Sequence, residues 1–95
     1  MIIEKRTRYQ RDLKKLIKSN TLTLEKIEEC EKLFEDDYKH NSLRYHSIKC
    51  KKDKNRYSIT VPNTQYRILM SVKDNIAYFK SLLNHNEYDR INKNC

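Results

Sequence analysis

The chain has 95 residues, enough for one modest hydrophobic core and too few for two, so we expect residues 1–95 to form a single domain. It carries 21 lysines and arginines against 13 acidic residues, a formal net charge of +8, and a polyanion or an acidic protein is the expected partner. Glycine is absent and proline occurs once, which excludes a glycine-rich phosphate loop. No nucleotide cofactor is therefore expected.

The apolar runs and the cysteines of the sequence indicate the cellular compartment of the protein. No apolar run approaches the roughly 20 residues of a membrane span, and the first residues lack the apolar core of a signal peptide. We therefore expect a cytoplasmic protein with no membrane partner. Cys30, Cys50 and Cys95 are odd in number and follow no known spacing, which predicts that they stay reduced.

The first 37 residues predict a short edge strand and two helices. Ile2 and Ile3 favour the strand, and Thr7 with Gln10 has the spacing of a capping box that would start the first helix. Thr23 is the predicted cap of the second helix. Apolar residues recur at helical spacing in both segments and give each helix one apolar face. The face of the first helix comprises Tyr9, Leu13, Leu16 and Ile17, and that of the second comprises Leu24, Ile27, Cys30, Leu33 and Phe34.

Beyond this point the apolar residues recur at every second position, which is typical of strands. The predicted strands are residues 57–61, 66–72 and 76–83, preceded by a histidine-bearing strand within residues 43–49. The connections are short, so neighbouring strands should be antiparallel. The predicted fold is α+β, with an N-terminal αα hairpin packed on one face of a twisted, mainly antiparallel sheet of four to five strands.

Strand alternation predicts where Arg67 points. Ile68 and Met70 should face the core, so Arg67 should project from the sheet face that the helices leave uncovered. An arginine in that position can bind a phosphate group. The alternative is an ordinary ion pair, for instance with Asp89.

Two histidines and a tyrosine are further candidates. His85 follows the last strand, near Tyr88, and antiparallel pairing should bring it back toward Arg67. Histidine ordinarily titrates at about pH 6.5, which suits proton transfer at neutral pH. Taken alone, His85 could equally be a surface residue. His46 is a weaker candidate, because a histidine that hydrogen-bonds to a strand backbone would explain it as well.

A zinc site is excluded by spacing. His46 and Cys50 are four residues apart, so their side chains would be separated by roughly 13 Å along a strand, much too far to bind one ion. No metal is expected. The following basic run predicts a hairpin tip that contacts RNA phosphates, although such runs are also common in solvated turns. Its members are Lys49, Lys51, Lys52, Lys54 and Arg56.

Five segments together resemble the RelE/ParE superfamily of bacterial toxin–antitoxin toxins, specifically the RelE-like ribosome-dependent mRNA interferases. They are residues 9–16, 43–46, 57–59, 66–69 and 85–89. The resemblance implies an endoribonuclease that cuts mRNA in the ribosomal A site, and a co-expressed antitoxin that binds the toxin in a hetero-oligomer. It also implies that Arg67 holds the scissile phosphate and that His85 acts on the leaving oxygen, and His46 matches a histidine that some members use. Because imidazole is accessible in both protonation states near pH 7, we expect His85 to act as the acid and His46 as the base. Tyr88 would orient His85 or stack on a base.

Some features depart from this pattern, and other functions remain open. Ser58 and Thr60 stand where the RelE toxin has lysines, and Tyr88 lies nearer His85 than the catalytic tyrosine does in that toxin. One alternative is the ParE branch, which shares the fold but inhibits DNA gyrase without catalysis. Another is an RNA-binding module whose sheet stacks on bases. The tyrosines available for that stacking, Tyr57, Tyr66 and Tyr78, are predicted to face the core.

Overall fold

The computed structural model describes residues 1–93 and residue 95. The elements in chain order are β1 (Ile2–Lys5), α1 (Thr7–Lys18), α2 (Leu24–Asp37), a 3₁₀ turn (Asn41–Leu43), β2 (His46–Ser47), β3 (Arg56–Thr60), β4 (Arg67–Lys73), β5 (Ile76–Leu83) and α3 (His85–Lys93). None of the helices in this part of the chain is long and apolar enough to cross a membrane.

The five strands form one sheet in the order β1-β5-β4-β3-β2. Neighbours from β2 to β5 are antiparallel, whereas β1 runs parallel to β5 and closes that edge. The predicted α+β architecture, with a mainly antiparallel sheet and an N-terminal edge strand, is confirmed. The histidine-bearing strand is much shorter than predicted, because regular pairing in β2 is limited to His46 and Ser47.

The two N-terminal helices begin differently. Thr23 caps α2 as predicted, since its hydroxyl oxygen accepts a hydrogen bond from the Lys26 backbone N–H at 3.2 Å. The capping box predicted at Thr7 is wrong, because α1 has Arg6 as its N-cap without a side-chain hydrogen bond. The Arg6 backbone N–H donates instead to the Phe79 carbonyl at 2.9 Å. The chain therefore passes from β1 into α1 with Arg6 still paired to β5.

The hydrophobic core lies between the α1–α2 hairpin and one face of the sheet. Phe79 in β5 is its centre, with ring centroids 5.3 Å from Tyr9 and 5.4 Å from Phe34, both in edge-to-face contacts. Ile59 and Ile68 complete the strand side. The predicted helical faces are confirmed in outline, except that Leu24 at the start of α2 is 50% exposed.

The hairpin also buries a polar group. Glu31 accepts a hydrogen bond from the Tyr9 hydroxyl at 2.8 Å and lies 3.0 Å from Lys5 Nζ, so its carboxylate is paired on both oxygens. Burial, reinforced by the Glu31 charge, raises the pKa of Tyr9 far above its usual range. The same two causes raise the pKa of the buried Cys30 thiol to about 12. Both groups are therefore held neutral.

A third helix, α3, was not predicted from the sequence. None of its residues is buried, so it lacks the apolar stripe that reveals a helix. A capping signal was present, however, because the Asn84 side chain accepts from the Glu87 backbone N–H at 2.9 Å. Arg56 Nη1 donates to Asn92 Oδ1 at 3.2 Å, which places α3 over the sheet face opposite the hairpin.

The C-terminus is covalently attached to the sheet. Cys95 forms a disulfide with Cys50 in the β2–β3 connection, across a sequence separation of 45 residues. The prediction that all three cysteines stay reduced is wrong for this pair, whereas Cys30 is a free buried thiol. The pairing follows from α3, which carries the chain end back across the sheet, and this return could not be seen in the cysteine spacing.

Candidate functional site

The sheet face opposite the hairpin brings together residues from three strands. The register aligns His46 with Ser58, and it aligns Thr60 with Arg67. These two rows are two residues apart along β3, which corresponds to roughly 7 Å. His46 lies on β2 and Arg67 on β4, with β3 between them. The two residues are therefore offset by one row along the strands and by two strand spacings, roughly 10 Å, across the sheet. A bound nucleotide and the long arginine side chain can span that distance.

His46 is held by two hydrogen-bonding partners. Its Nδ1 lies 2.7 Å from the Arg44 carbonyl oxygen, and its Nε2 lies 3.3 Å from the Tyr88 hydroxyl. A carbonyl oxygen can only accept, so Nδ1 carries the proton in this contact and Nε2 of the neutral ring has a free lone pair. The backbone hydrogen bond that was considered as the non-catalytic explanation of His46 is thus present, and it leaves Nε2 unprotonated.

Arg67 leaves the core as strand alternation predicts. Its neighbours Ile68 and Met70 are buried, whereas Arg67 is half-buried, with Nη1 donating to the Tyr66 carbonyl at 3.4 Å. The side chain lines an open pocket of about 880 Å³ that Arg44 and other polar residues share. The ion pair considered with Asp89 is not formed in the described part of the chain, because Asp89 contacts His85 instead.

Arg44 is a site residue that the sequence did not single out. It follows the 3₁₀ turn in the left-handed conformation, with φ 51° and ψ 44°. The other positive-φ residues in the described part of the chain are all asparagine or aspartate, the non-glycine types that best tolerate it. They are Asn20, Asn63, Asp74 and Asn75. No sequence signal marks the left-handed conformation of Arg44, because it depends on how the 3₁₀ turn connects to β2.

His85 and Tyr88 both lie on α3. Tyr88 reaches His46, as described above, whereas His85 is the first residue of the helix and its Nε2 lies 3.2 Å from Asp89 Oδ2. The described contacts do not join His85 to Arg67 or to His46. The residues predicted for the site are thus divided, with His46, Arg67 and Tyr88 on the sheet face and His85 one helical turn from Tyr88.

The basic run occupies the connection between β2 and β3. Its four lysines, Lys49, Lys51, Lys52 and Lys54, are exposed, whereas Arg56 is half-buried and bonded to Asn92. Asp53 anchors the connection, since its carboxylate lies 3.6 Å from Lys80 and accepts hydrogen bonds from Ser71 and Asn55. Partial burial alone would raise the pKa of Asp53, but these hydrogen bonds and the Lys80 charge hold it below its usual value.

The tyrosines leave little surface for stacking on bases. Tyr57 and Tyr66 pack against the core as predicted, and Tyr57 also stacks on Tyr45 with a centroid distance of 4.9 Å. The prediction for Tyr78 is wrong, because this residue faces the opposite side. The Arg6 guanidinium lies 4.6 Å from the Tyr78 ring centroid. A sheet that recognises RNA mainly by aromatic stacking is therefore not favoured.

The site consists of an imidazole, a phenol and guanidinium groups. Among residues 1–93 and 95, no cluster of three histidine, cysteine or acidic side chains is placed to hold a metal ion. Cys50, the second residue of the zinc alternative, is bonded to Cys95. A lone-pair nitrogen beside cationic groups can move protons and neutralise negative charge at a phosphodiester.

No protein-family model matches the chain, and no curated protein matches it. Several solved toxin structures do share its fold. The structure of YafQ from Escherichia coli is 14% identical, with a TM-score of 0.69, over 90% of this chain and 94% of that one. The E. coli DinJ–YafQ toxin–antitoxin complex gives 16% identity and a TM-score of 0.70, over 90% and 92%.

A copper-bound mutant toxin from Helicobacter pylori is 18% identical, with a TM-score of 0.71, over 92% of this chain and 97% of that one. At these identities the similarity concerns the fold. The chain shares the α+β fold of these structures, as its sequence predicts, and the third, C-terminal helix is the main addition to the predicted architecture.

Proposed function

We propose that the chain is the toxin of a type II toxin–antitoxin system and that it cleaves mRNA on the ribosome without a metal ion. The observation that carries the proposal is the contact of Tyr88 with Nε2 of His46 on the sheet face that also presents Arg67. The RelE-like fold and the net charge of +8 support the same assignment.

The proposed reaction is attack of a ribose 2′-hydroxyl on the adjacent phosphorus atom. His46 Nε2 takes the hydroxyl proton, a bond forms between the 2′-oxygen and phosphorus, and the bond from phosphorus to the 5′-oxygen breaks. The products are a 2′,3′-cyclic phosphate and a 5′-hydroxyl end. In the free protein Tyr88 occupies the position at Nε2 that the substrate hydroxyl would take.

Arg67 is assigned to the phosphate. The transition state carries more negative charge than the substrate on its non-bridging oxygens, so a guanidinium placed there stabilises it more than the substrate. The pocket beside Arg67 is wide and polar, as binding of a nucleotide backbone requires. Thr60, directly opposite Arg67 in the register, adds a hydroxyl to the same surface.

His85 is assigned as the acid that protonates the departing 5′-oxygen. In its contact with Asp89 the imidazole Nε2 must carry the proton, because a carboxylate oxygen accepts. In the proposed role, the proton that His85 donates to the departing oxygen leaves from Nε2. Tyr88 lies one turn further along α3 and would orient the base at His46 or stack on a nucleotide base.

Ribosome dependence follows from size and charge. A chain of 95 residues has little surface with which to position a flexible RNA, so much of the positioning would come from the ribosome. The exposed lysines of the β2–β3 connection, Lys49, Lys51, Lys52 and Lys54, would contact RNA phosphates. Arg56 contributes less to this surface, since it is bonded to α3.

The proposed partner is an acidic antitoxin. Complementary charge speeds capture of a basic toxin, and apolar contacts then slow its release. The DinJ–YafQ toxin–antitoxin complex, which has this fold, supports an antitoxin as the partner. Co-expression with the neighbouring open reading frame should restore growth and give a stable complex. A basic neighbour that neither binds nor rescues growth would contradict the toxin–antitoxin assignment.

The activity can be tested in a cell-free translation reaction by mapping the 5′ ends of mRNA after addition of the purified protein. We expect new 5′-hydroxyl ends only when ribosomes are present, and far fewer of them with Arg67→Ala. Intact message together with inhibited gyrase supercoiling would instead establish the ParE-type function.

A further inference from the structure

The backbone of Arg44 bears directly on His46, two residues later. Arg44 adopts φ 51°, a backbone conformation that residues with a Cβ atom avoid. The short polar side chains of asparagine and aspartate can offset its energetic cost by bonding to their own backbone, whereas the long arginine side chain does not. This conformation directs the Arg44 carbonyl oxygen to within 2.7 Å of His46 Nδ1. Strained backbone is retained where the surrounding structure requires it, and functional sites are the commonest such places.

Of the two partners of the His46 imidazole, the Arg44 carbonyl is the one that decides which ring nitrogen carries the proton. The Tyr88 hydroxyl, 3.3 Å from Nε2, can either donate or accept, so it is compatible with a proton on either nitrogen. The Arg44 carbonyl can only accept, and it therefore requires the proton on Nδ1. Without this contact the neutral imidazole would distribute its proton between both nitrogens, and a ring protonated on Nε2 cannot act as a base there.

Arg44 also borders the pocket that contains Arg67. It is exposed and lines the same open pocket as Arg67 and Thr60, next to the row that contains His46. One residue thus contributes a backbone acceptor to the base and a cation to the pocket where the phosphate is assigned. These two contributions can be separated experimentally, because the first depends on backbone conformation and the second on the guanidinium.

We propose that Arg44 is the positioning residue of this site: its left-handed backbone fixes His46 in the tautomer that leaves Nε2 unprotonated, and its guanidinium adds a second cation for the substrate phosphate. The proposal rests on the function proposed above for His46. The tautomer itself is a property of the free protein and can be measured without RNA.

Four substitutions of Arg44 separate the two roles. Arg44→Asn retains a residue type that tolerates positive φ and removes the cation, and Arg44→Gly does the same without any side chain. Arg44→Val places a β-branched residue in a conformation that it strongly disfavours. Arg44→Ala is a milder version of the valine change, for use if the valine variant does not fold.

The decisive measurement is the pair of ¹⁵N chemical shifts of the His46 imidazole at a pH where the ring is neutral. We expect a protonated Nδ1 and an unprotonated Nε2 in the wild type and in the Asn and Gly variants. The Val or Ala variant should show averaged shifts that indicate a mixture of tautomers. Unchanged shifts in a folded Val or Ala variant would overturn the proposal, as would a wild-type ring protonated on Nε2.

Single-turnover cleavage on ribosomes tests the consequence. The Asn and Gly variants should both lose cleavage rate to the same extent, because each lacks the cation, and the Val or Ala variant should lose about tenfold or more beyond that shared loss. An equal loss of cleavage rate in all variants would mean that Arg44 acts only through its charge, and it would overturn the positioning role. The expected shifts together with uncleaved RNA would reject the proposed nuclease function while leaving the positioning of His46 intact.

Discussion

Tyr88 and His46 are 42 positions apart in the chain, and the tyrosine hydroxyl lies 3.3 Å from the imidazole Nε2. This contact joins α3 to β2, the strand at the far edge of the sheet from β1. Because α3 buries none of its residues, polar contacts and the Cys50–Cys95 disulfide hold it in place. The geometry of the proposed site therefore depends on the docking of a helix that has little apolar attachment of its own.

His46→Gln should reduce single-turnover cleavage by about 10²-fold or more, because the amide cannot accept the hydroxyl proton. Its folding stability should change by no more than about 0.5 kcal/mol, since the side chain is exposed. Tyr88→Phe should have a smaller effect on the rate. The assignment of His46 as the base would be wrong if the Gln variant cleaved at the wild-type rate.

Arg67→Ala should lower the cleavage rate by about 10²- to 10³-fold, in line with loss of a group that stabilises the transition state. The fold should be retained, as measured by circular dichroism and thermal unfolding, because the side chain leaves the core. Arg11→Ala is the matched control, since it removes the same charge from an exposed position on α1. Equal losses in the two variants would show that only the overall charge matters.

Cys95→Ser should lower the free energy of unfolding by up to about 4 kcal/mol, the loop-closure contribution expected for a crosslink that spans 45 residues. Amide hydrogen exchange in α3 should accelerate more than exchange in β4 and β5, because the helix loses its covalent attachment. Dithiothreitol should reproduce both effects in the wild type and add nothing in the variant. A wild type whose stability is insensitive to the reductant would exclude a stabilising role for the crosslink.

Alkaline pH should destabilise the fold through Cys30. Burial, reinforced by the Glu31 charge, raises its pKa from 9.0 to about 12 in the folded protein, so the unfolded chain loses this proton first. The contribution of the neutral thiol is complete below pH 9 and decreases as the pH rises toward 12, by up to about 1.4 kcal/mol per pH unit.

Urea unfolding of the wild type and of Cys30→Ala at pH 8 and pH 10.5 provides the test. The wild type should lose more stability than the variant over this interval, since only the wild type has a Cys30 thiol that ionises in the unfolded chain while it stays neutral in the folded protein. Identical losses would mean that the thiol is not held neutral in the folded state.

Much of the fold follows from periodicity in the sequence. The sheet face from which Arg67 projects could be predicted because Ile68 and Met70 are apolar and alternate with it along one strand. Thr23 could be recognised as a helix cap from its position before an apolar face. These features are local, so a single stretch of sequence contains the information.

The arrangement of the site could not be predicted in the same way. The Tyr88–His46 contact and the Cys50–Cys95 disulfide both depend on α3 returning across the sheet, and α3 has no apolar stripe to reveal it. The available signal was the capping pair Asn84 and Glu87, in which the Asn84 backbone N–H also donates to Glu87 Oε1 at 3.4 Å. His85 was expected beside Arg67, but helix formation from His85 onward places it next to Asp89.

Charge is divided unevenly between the two sides of this molecule. Helix α2 carries seven acidic and two basic side chains, although the chain as a whole has a net charge of +8. This helix packs on the side of the sheet away from His46 and Arg67. An approaching RNA therefore repels one side and attracts the other, and the protein experiences a torque that turns its basic face toward the polymer before contact. Such pre-orientation operates over about one Debye length, roughly 10 Å at 0.1 M salt, so added salt should slow capture more than it speeds release.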